Sequence, residues 1–483
     1  MSHIKSIDSS DLLNLDATAI AQLIQTKQIS VETVVTTYIN HIQAINPSLN
    51  AVIEDRFNEA LTEAKEKDKN FPENFSDQPL YGVPISVKES FDVKGMTTTG
   101  GLIHRKDIVS HTDATVIKKL KDAGAIILGK TNTPALCFCQ ETVNKLYGRT
   151  NNPWDLNLTP GGSSGGEGSL LAAGGAAVGI GSDIGGSIRI PSHFNGVVGF
   201  KPGKFKVSSD GHFPSIKHSL QQRMEAMGPM GKSVRDMRLL YQLIAHEKPS
   251  TQSLDHTSIH ILPNNNPYPL SESTQRILDS VENFLSGQFP TERTLPPLFE
   301  ESAQLWQEIM SIDGGKSIKQ LAFNNDRSHI IFTFIKEKLT ERTNIHPYLS
   351  WALIGAKLFK PSRSRVQAIE NLVTTNDEQL DDYLNDRLLI FPVYHTAARP
   401  HGEVYKEIFS IRKTFKKYMP YIAYANVWGL PALTLPIGTD ENNLPISIQI
   451  ISINGNEDKI FQLGELLERN FRGYVRCDQI EHS

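Results

Sequence analysis

The sequence predicts an α/β protein, because segments with helical spacing of apolar residues alternate with short apolar strands. Segment 31–45 carries valine, isoleucine and tyrosine at helical intervals behind Ser30, whose hydroxyl is typical of an N-cap. Residues 81–88 and 125–128 are short and apolar, as expected of buried strands, and residues 113–123 have the pattern of a helix. We therefore expect a sheet whose strands are connected by helices.

The remaining elements follow from breaks in these patterns. Pro47 is expected to close the first long helix, because a proline lacks the N–H that a helix interior requires. The strand that follows is expected to deliver Lys88 at its carboxyl end. Residues 250–400 are more polar and helix-like, without a recognisable motif. Residues 421–438 are apolar again, and we expect them to return to the central sheet after a break at Gly429-Leu430-Pro431.

The composition is that of an ordinary globular protein, with 39% hydrophobic and 21% charged residues among 483. A formal net charge of −4 gives no electrostatic reason to expect nucleic acid or an anionic membrane surface as a partner. Three cysteines cannot form a disulfide framework and fit a reducing compartment. The first ten residues lack a secretory signal, and the uncharged run 169–182 is shorter than the about 20 residues that span a bilayer. We therefore expect a cytoplasmic protein without a transmembrane anchor.

Glycine is concentrated in one part of the chain. Residues 161–186 contain eleven of the 34 glycines, where an even spread would place about two. Glycine at this density carries an entropic cost, so the stretch must need unusual backbone angles or close backbone approaches. A functional site is the expected reason for such a requirement.

Three short motifs are interpreted as coincidence or as packing. Residues 124–131 match the nucleotide-binding P-loop string, but their four middle residues predict a buried strand instead of a flexible loop. The string Gly-x-Ser-x-Gly occurs around Ser163 and Ser164, but it follows a loop where an α/β-hydrolase requires a strand. Cys137 and Cys139 lack further ligands at metal spacing, so we expect both to be buried thiols that pack as small hydrophobic side chains.

The glycine-rich stretch offers a serine nucleophile beside an anion-binding backbone. Ser187 follows Ile184-Gly185-Gly186, whose N–H groups can turn toward one point, as in an oxyanion hole. A serine hydroxyl needs a base, and a lysine serves only if burial lowers its pKa. Lys88 at a strand end is one candidate base, and His193 is the histidine close to this stretch in sequence. Both bases remain open on these grounds.

These segments resemble the amidase signature family. The long glycine/serine segment of that family is similar to residues 160–168 followed by residues 181–191 of this chain. Lys88 and Ser163 are 75 residues apart, and Ser163 and Ser187 are 24 apart, which are the spacings of the family's lysine and two serines. The resemblance is therefore specific in both motif and spacing.

The resemblance implies a chemical role for three side chains. It makes Ser187 the nucleophile, Lys88 the final base, and Ser163, on a cis peptide bond, the serine that passes protons between them. The expected oxyanion hole consists of the N–H groups of Ile184, Gly185, Gly186 and Ser187. The family requires neither a metal nor an organic cofactor, so none is expected here.

Three further residues are implied as supporting groups. Asp183 and Arg189 are expected to brace the nucleophile loop through charged hydrogen bonds. Ser164 is expected to hydrogen-bond within the same network, and a plain turn-forming role for this serine is an equally open interpretation.

The resemblance also implies the architecture. It predicts a single amidase domain over residues 1–483, with a large twisted mixed sheet covered by helices on both faces. Within this domain we expect an N-terminal helical segment at 1–75 and a catalytic core formed by 80–245 and 420–475. Residues 250–415 are expected to form a variable helical insertion that lines the pocket.

The implied activity is hydrolysis of a carboxylic or N-acyl amide to an acid plus ammonia or an amine, through an acyl-enzyme. Glu167, Ile184 and the Asn195-Gly196 pair look closer to the fatty-acid amide hydrolase branch, and a soluble, bacterial relative is expected. The alternative is the A subunit of a glutamyl-tRNA amidotransferase, which usually carries threonine and glutamine where this chain has Ile184 and Ile190. The expected partner is a small-molecule amide, without nucleic acid, for a monomer or homodimer.

Overall fold

A sheet of eleven strands forms the centre of the protein. The computed structural model describes residues 8–324, 329–340, 342–408 and 414–482. Its strands, in chain order, are β1 (Val52–Asp55), β2 (Pro84–Lys88), β3 (Ile126–Thr131), β4 (Val143–Asn144), β5 (Gly148–Arg149), β6 (Val178–Asp183), β7 (Val198–Lys201), β8 (Ala226–Gly231), β9 (Ser258–Ile261), β10 (Thr291–Arg293), β11 (Arg387–Pro392), β12 (Ala432–Thr439) and β13 (Pro445–Ile451). The short strands β4 and β5 pair with each other, and the others form the large sheet in the order β1-β3-β2-β6-β8-β7-β12-β13-β11-β9-β10.

The sheet is mixed, which confirms the fold predicted from the sequence. β2 lies between β3 and β6 and runs parallel to both, and β9 runs parallel to β10 and β11. The five central pairs, from β6 through β8, β7, β12 and β13 to β11, are all antiparallel. Because parallel strands end at the same edge of a sheet, Lys88 at the end of β2 lies beside the loop that follows β6.

Helices cover both faces of this sheet. They are α1 (Ser9–Asn14), α2 (Ala17–Gln25), α3 (Val31–Leu49), α4 (Phe57–Lys69), α5 (Thr115–Asp122), α6 (Gly165–Ala172), α7 (Arg189–Asn195), α8 (Ser219–Gln222), α9 (Val234–Ile244), α10 (Glu272–Leu285), α11 (Phe299–Met310), α12 (Lys316–Ala322), α13 (Ile330–Thr340), α14 (Pro347–Leu358), α15 (Arg363–Leu384), α16 (Val404–Ile408), α17 (Thr414–Val427) and α18 (Glu457–Asn470).

The two faces are visible in the packing of β11. Leu388 and Ile390 belong to one hydrophobic cluster together with side chains of α3, α9 and α18. Leu389 and Phe391 belong to a second cluster together with side chains of α11, α15 and α17. Because successive side chains of a strand point to opposite faces, the two clusters lie on opposite sides of the sheet.

Helix α3 is longer than the sequence predicts. It continues through Pro47 to Leu49, so the expectation that Pro47 closes the helix is wrong. The proline stands in the last turn, where its missing N–H removes a single bond of the helix. The helix then ends at Asn50, which adopts a left-handed φ of 50° and donates its N–H to the carbonyl oxygen of Asn46 at 2.8 Å.

The P-loop string belongs to β3, which confirms the interpretation of its apolar residues as a strand. Lys130, at the position of the P-loop lysine, is fully buried and lies 3.0 Å from the hydroxyl of Thr98. The apolar segment 421–438 is also confirmed as a return to the sheet. Helix α17 ends at Val427, and β12 begins at Ala432 after the break.

Region 250–415 contributes more than helices. Besides α10 to α16 it contains β9, β10 and β11, which form one edge of the large sheet. The three strands are short, and no motif marked them. The division of the chain into a catalytic core and a variable insertion stays a prediction. Across the described ranges, no helix is both long and apolar enough to cross a membrane.

Candidate active site

A cavity of about 720 Å³ opens next to the carboxyl end of β6. Ser163, Ser182 and Ser187 line it, and Lys88 lies behind two of these serines with none of its surface exposed. Much of the remaining wall is apolar and includes Ile108, Leu136, Phe138, Phe213, Ile312 and Leu321. The residues predicted as nucleophile, relay serine and base are therefore brought to one place.

Two hydroxyl groups hold the amine of Lys88. Ile85 and Val87 of β2 pack into the first hydrophobic cluster, so the alternate residue Lys88 points to the opposite face of the sheet. Lys88 Nζ lies 2.6 Å from Ser163 Oγ and 2.9 Å from Ser182 Oγ. Contacts of this length allow proton transfer between the amine and a hydroxyl.

The surroundings of Lys88 favour an uncharged amine. Burial lowers its pKa, although the nearby Cys137 thiol and Asp183 carboxylate partly offset the effect. A third acidic group, Glu167 of α6, accepts hydrogen bonds from Ser86 Oγ at 2.5 Å and from a second hydroxyl. Burial raises the pKa of Glu167 to about 7, so near neutral pH this carboxyl is partly protonated. It is therefore a weak counter-ion for an ammonium group.

Ser163 stands on a backbone that is held from several sides. The peptide between Gly162 and Ser163 is cis, in agreement with the resemblance. A Cβ on Gly162 would lie 2.7 Å from the carbonyl oxygen of Cys139, so a larger residue does not fit there. The hydroxyl of Thr133 donates to the carbonyl oxygen of Ser163 at 3.0 Å. These contacts place Ser163 Oγ between Lys88 and the cavity.

Ser187 is tied to the relay segment through the backbone. The N–H of Ser164 donates to the carbonyl oxygen of Ser187 at 3.1 Å, and Ser164 Oγ lies 3.4 Å from the carbonyl oxygen of Ser182. Within the described ranges, the Oγ of Ser187 has no hydrogen-bond partner. The hydroxyl is therefore free to rotate toward Ser163 or toward a substrate.

The loop between β6 and α7 presents three free N–H groups. Those of Ile184, Gly185 and Ser187 have no acceptor in the part of the chain that the structure describes. Gly186 differs from the prediction, because its N–H donates to Asp183 Oδ1 at 2.9 Å. The structure therefore offers three of the four expected oxyanion donors, and the fourth is engaged by a carboxylate.

Two side chains hold the carbonyl groups of this loop. Trp306 Nε1 donates to the carbonyl oxygen of Ile184 at 2.8 Å, and Gln140 Nε2 donates to that of Gly185 at 3.0 Å. In a trans peptide the C=O and the following N–H point in opposite directions, so the Trp306 contact aims the N–H of Gly185. A Cβ on Gly185 would lie 2.6 Å from the Trp306 ring, which explains the glycine.

Replacing Trp306 by Phe is expected to lower kcat about tenfold with little change in KM, because the Ile184 carbonyl loses the contact that aims the neighbouring N–H groups. The measurement is kcat and KM for an amide that the enzyme hydrolyses, together with the thermal unfolding midpoint. Trp154→Phe is the matched control, since it removes an indole donor that lies 2.9 Å from the carbonyl oxygen of Asn195. Equal losses of kcat in the two variants would contradict the aiming role.

Asp183 and Arg189 form a buried ion pair at the base of the loop. Arg189 Nε and Nη2 each lie 3.1 Å from a carboxylate oxygen of Asp183. Asp183 also accepts the N–H groups of Gly186 and Ile188. Burial alone would raise the pKa of Asp183, but Arg189 holds it well below its usual range. The carboxylate thus stays charged, and the geometry agrees with the implied bracing role.

His193 is not available as a base. Its Nδ1 accepts the N–H of Ser447 at 2.9 Å, and its Nε2 lies 2.9 Å from the carbonyl oxygen of Thr396. Both ring nitrogens are therefore occupied by backbone groups, and burial lowers the pKa of His193 to about 4. The alternative of a serine–histidine enzyme that uses this residue is wrong.

The two neighbouring cysteines differ in environment. Cys139 is buried in an apolar cluster, as predicted. Cys137 lines the cavity, with its Sγ 3.3 Å from the hydroxyl of Thr133, so the expectation of apolar burial is wrong for this residue. Leu136 and Cys137 both have a φ of 56°, a left-handed conformation that turns the chain there. No local sequence pattern indicates this turn.

The chain matches the Amidase family over residues 33–461. It therefore belongs to the amidase family and is an amide-hydrolysing enzyme. It is 32% identical to fatty-acid amide hydrolase 2 of Homo sapiens, over 96% of this chain and 90% of the relative. It is 30% identical to the A subunit of glutamyl-tRNA(Gln) amidotransferase from Trichormus variabilis, over 93% of this chain and 96% of the relative.

The fold is also shared with solved structures. The structure of 6-aminohexanoate cyclic dimer hydrolase in complex with substrate superposes with a TM-score of 0.79, at 24% identity, over 97% of this chain and 99% of that one. At this level of identity the comparison supports the architecture described above.

Proposed function

We propose that the enzyme hydrolyses amides through an acyl-enzyme on Ser187, with Ser163 and Lys88 as a two-step proton relay. Ser187 Oγ attacks the amide carbonyl carbon while its proton passes to Ser163 Oγ, and the proton of Ser163 passes to the neutral amine of Lys88. The oxyanion that forms is held by the free N–H groups of Ile184, Gly185 and the nucleophile itself. Each such donor contributes about 10²–10³ to the rate in comparable enzymes.

Collapse of the tetrahedral intermediate uses the same relay in reverse. The ammonium group of Lys88 returns its proton through Ser163 to the leaving nitrogen, which leaves as a neutral amine or ammonia. Water then attacks the acyl-enzyme, and its proton follows the same path to Lys88. As the bond between the acyl carbon and Ser187 Oγ breaks, the proton returns from Lys88 through Ser163 to that oxygen, so the carboxylic acid departs and Ser187 recovers its hydroxyl. Every proton in this cycle is carried by a side chain of the site.

The 2.6 Å contact between Lys88 Nζ and Ser163 Oγ, with no surface of Lys88 exposed, is the observation that carries this proposal. A lysine in water would be protonated and unable to act as a base. Burial lowers the pKa of Lys88, and the hydroxyl of Ser163 connects this amine to the cavity.

N-acyl amides with an apolar acyl group are the proposed substrate class. The cavity volume lies in the range of small-molecule sites, and Ile184, which flanks the free N–H groups, is one of the apolar residues of the wall. Apolar contact beside the oxyanion donors favours a hydrophobic acyl chain over the polar side chain of glutamine. Similarity to fatty-acid amide hydrolase 2 supports the same class.

The amidotransferase A subunit is the second candidate, because the similarity to that relative also extends over nearly the whole chain. In that case the enzyme would release ammonia from glutamine and would act together with partner chains on charged tRNA. Co-purification with such chains and glutamine-dependent activity would favour this candidate. The side chains of Ile184 and Ile190 weigh against it, since Ile190 lies in the second hydrophobic cluster, Ile184 packs against that cluster, and neither side chain can hydrogen-bond a polar substrate.

A substrate screen separates the candidates. Aryl amides, short-chain and long-chain N-acyl amides and glutamine are incubated with the purified wild-type enzyme and with Ser187→Ala, without tRNA or nucleotide. We expect the wild type to hydrolyse N-acyl amides, with kcat/KM rising with chain length, and Ser187→Ala to hydrolyse none. Turnover of glutamine alone, or activity that appears only with added partner chains, would contradict the proposed function.

A further inference from the structure

Lys88 has a second hydroxyl neighbour, and the contacts of that neighbour extend to a buried histidine and glutamate. Ser182 Oγ lies 2.9 Å from Lys88 Nζ and 3.0 Å from His212 Nε2. His212 Nδ1 lies 3.5 Å from Glu225 Oε1, and the side chains of these two residues are only 5% and 7% exposed. His212 Nδ1 makes no hydrogen bond to the described residues, and the carboxyl group of Glu225 is the acidic group that faces it. These groups form a branch separate from Ser163.

The direction of each hydrogen bond in this branch follows from counting donors and acceptors. A neutral amine has one lone pair and two N–H groups, and the relay requires that the lone pair accept the proton of Ser163. Lys88 must then donate an N–H to Ser182, so the Ser182 proton is left to donate to His212 Nε2. The histidine in turn must carry its proton on Nδ1, which faces the Glu225 carboxylate. Burial lowers the pKa of His212 to about 4, so the ring is uncharged at neutral pH.

We propose that Ser182, His212 and Glu225 are positioning residues that point the lone pair of Lys88 at Ser163, a role that rests on the proposed function of Lys88 as the base. The Nε2 of His212 accepts the hydrogen bond of the Ser182 hydroxyl and so keeps that O–H from pointing at the amine. Glu225 selects the histidine tautomer in which Nε2 is free to accept. Ser182 contacts the amine of Lys88 directly, and His212 and Glu225 act on that amine through Ser182.

Loss of the acceptor at position 212 has a defined consequence. The Ser182 proton then turns to the nearest remaining lone pair, which belongs to Lys88, and competes with the proton of Ser163. This contact exists only with the neutral amine, so it lowers the pKa of Lys88. Since the relay needs the neutral amine, the rate rises with pH through this pKa. The acid limb of the pH–rate profile should therefore move to lower pH while the plateau falls.

Other titratable groups lie near the two ends of the branch and also influence the pKa values of His212 and Lys88. Around His212 they are Glu225 before β8, Lys88 at the end of β2 and Asp92 in the loop after β2. Around Lys88 they are Cys137, Asp183 and Glu167. These neighbouring residues are all still present when residue 212 alone is replaced, so a shift of the acid limb measures the effect of losing the contact between Ser182 and His212.

The test is a double-mutant cycle between positions 182 and 212. His212→Phe should lower kcat at least about tenfold with little change in KM and move the acid limb to lower pH. His212→Gln, whose amide oxygen still accepts from Ser182, should stay within about threefold of the wild type without moving the limb. In a Ser182→Ala background, His212→Phe should cause no further loss, because the competing hydroxyl is gone. A full additional loss in that background would overturn the proposal.

Stability and the role of Lys88 are tested separately. His260→Phe is the matched control: His260 is 5% exposed and contacts the hydroxyl of Tyr383, so its loss should change the unfolding midpoint but not the acid limb.

Should His212→Phe fail to fold, Ser182→Ala alone must still move the acid limb to lower pH, since the variant loses an acceptor that stabilises the ammonium form of Lys88. An unmoved limb would overturn the proposal. Near-normal activity of Lys88→Met would instead overturn the proposed function.

Discussion

Ser187→Ala is expected to lower kcat by about 10⁴-fold or more, the largest effect of any single replacement in the site, because it removes the hydroxyl on which the proposed acyl-enzyme forms. The variant should also lose covalent labelling by an alkyl phosphonofluoridate, which reacts with an activated serine. Labelling is measured by the mass of the intact protein and by peptide mapping. In the wild type we expect one adduct, on Ser187.

Ser192→Ala is the control for this experiment. Ser192 lies five residues further along, is also buried and donates its hydroxyl to the carbonyl oxygen of Ile188 at 2.9 Å. Its loss should leave labelling and kcat within about threefold of the wild type. An adduct on another serine, or persistent labelling of Ser187→Ala, would contradict the assignment of the nucleophile.

Lys88→Met is expected to lower kcat by about 10³-fold, because it removes the final proton acceptor while keeping a side chain of similar length in the buried position. Methionine neither ionises nor donates a hydrogen bond, so Ser163 would have no base to which it can pass a proton. Labelling of Ser187 by the phosphonofluoridate should slow by a similar factor. The measurements are kcat and the labelling rate at neutral pH.

Lys130→Met separates this effect from the loss of any buried lysine. Lys130 is as buried as Lys88, but its amine is held by groups outside the cavity, with the hydroxyl of Thr98 3.0 Å away. This variant should be less stable in urea, with kcat of the folded protein largely retained. If the two variants lose the same share of activity, Lys88 has no special role.

The family resemblance, carried by motif and spacing, was sufficient to predict the three side chains at the centre of the candidate site, whereas the residues alone left the base open. Lys88, Ser163 and Ser187 stand at the end of a strand and within one glycine-rich stretch, so motif and spacing locate all three. The glycines of that stretch meet close contacts in the fold, such as the Trp306 ring against Gly185. The two serines and the backbone geometry that positions them are therefore encoded within neighbouring residues of one segment, and Lys88 comes from a separate strand.

The groups that orient the site could not be predicted in this way. Trp306 comes from α11, His212 from the segment between β7 and α8, and Glu225 from the segment between α8 and β8. The fold brings these residues to Lys88, and no sequence spacing relates them to it. The engagement of the Gly186 N–H by Asp183 likewise depends on side-chain conformation. Motifs indicate that this N–H is present, whereas its availability follows from three-dimensional contacts.

The secondary structure shows the same distinction between local and non-local signals. The strand at 81–88 and the helix at 31–45 have clear apolar spacing and are present close to their predicted bounds. β10 has three residues, Thr291–Arg293, none of them apolar, and it is a strand because it pairs with β9 at the edge of the sheet. Such a strand is set by its neighbour and not by its own composition.

The pH dependence of the acylation of Ser187 tests most directly whether Lys88 is the base. The first-order rate of acylation is followed in single turnovers of an aryl amide. For the wild type we expect the rate to rise with pH and to level off at a midpoint below the ordinary lysine pKa of 10.5. For Lys88→Met we expect a rate lower by about 10³-fold from which this rise is absent. The same rise, with the same midpoint, in Lys88→Met would show that another group accepts the proton and would contradict the relay.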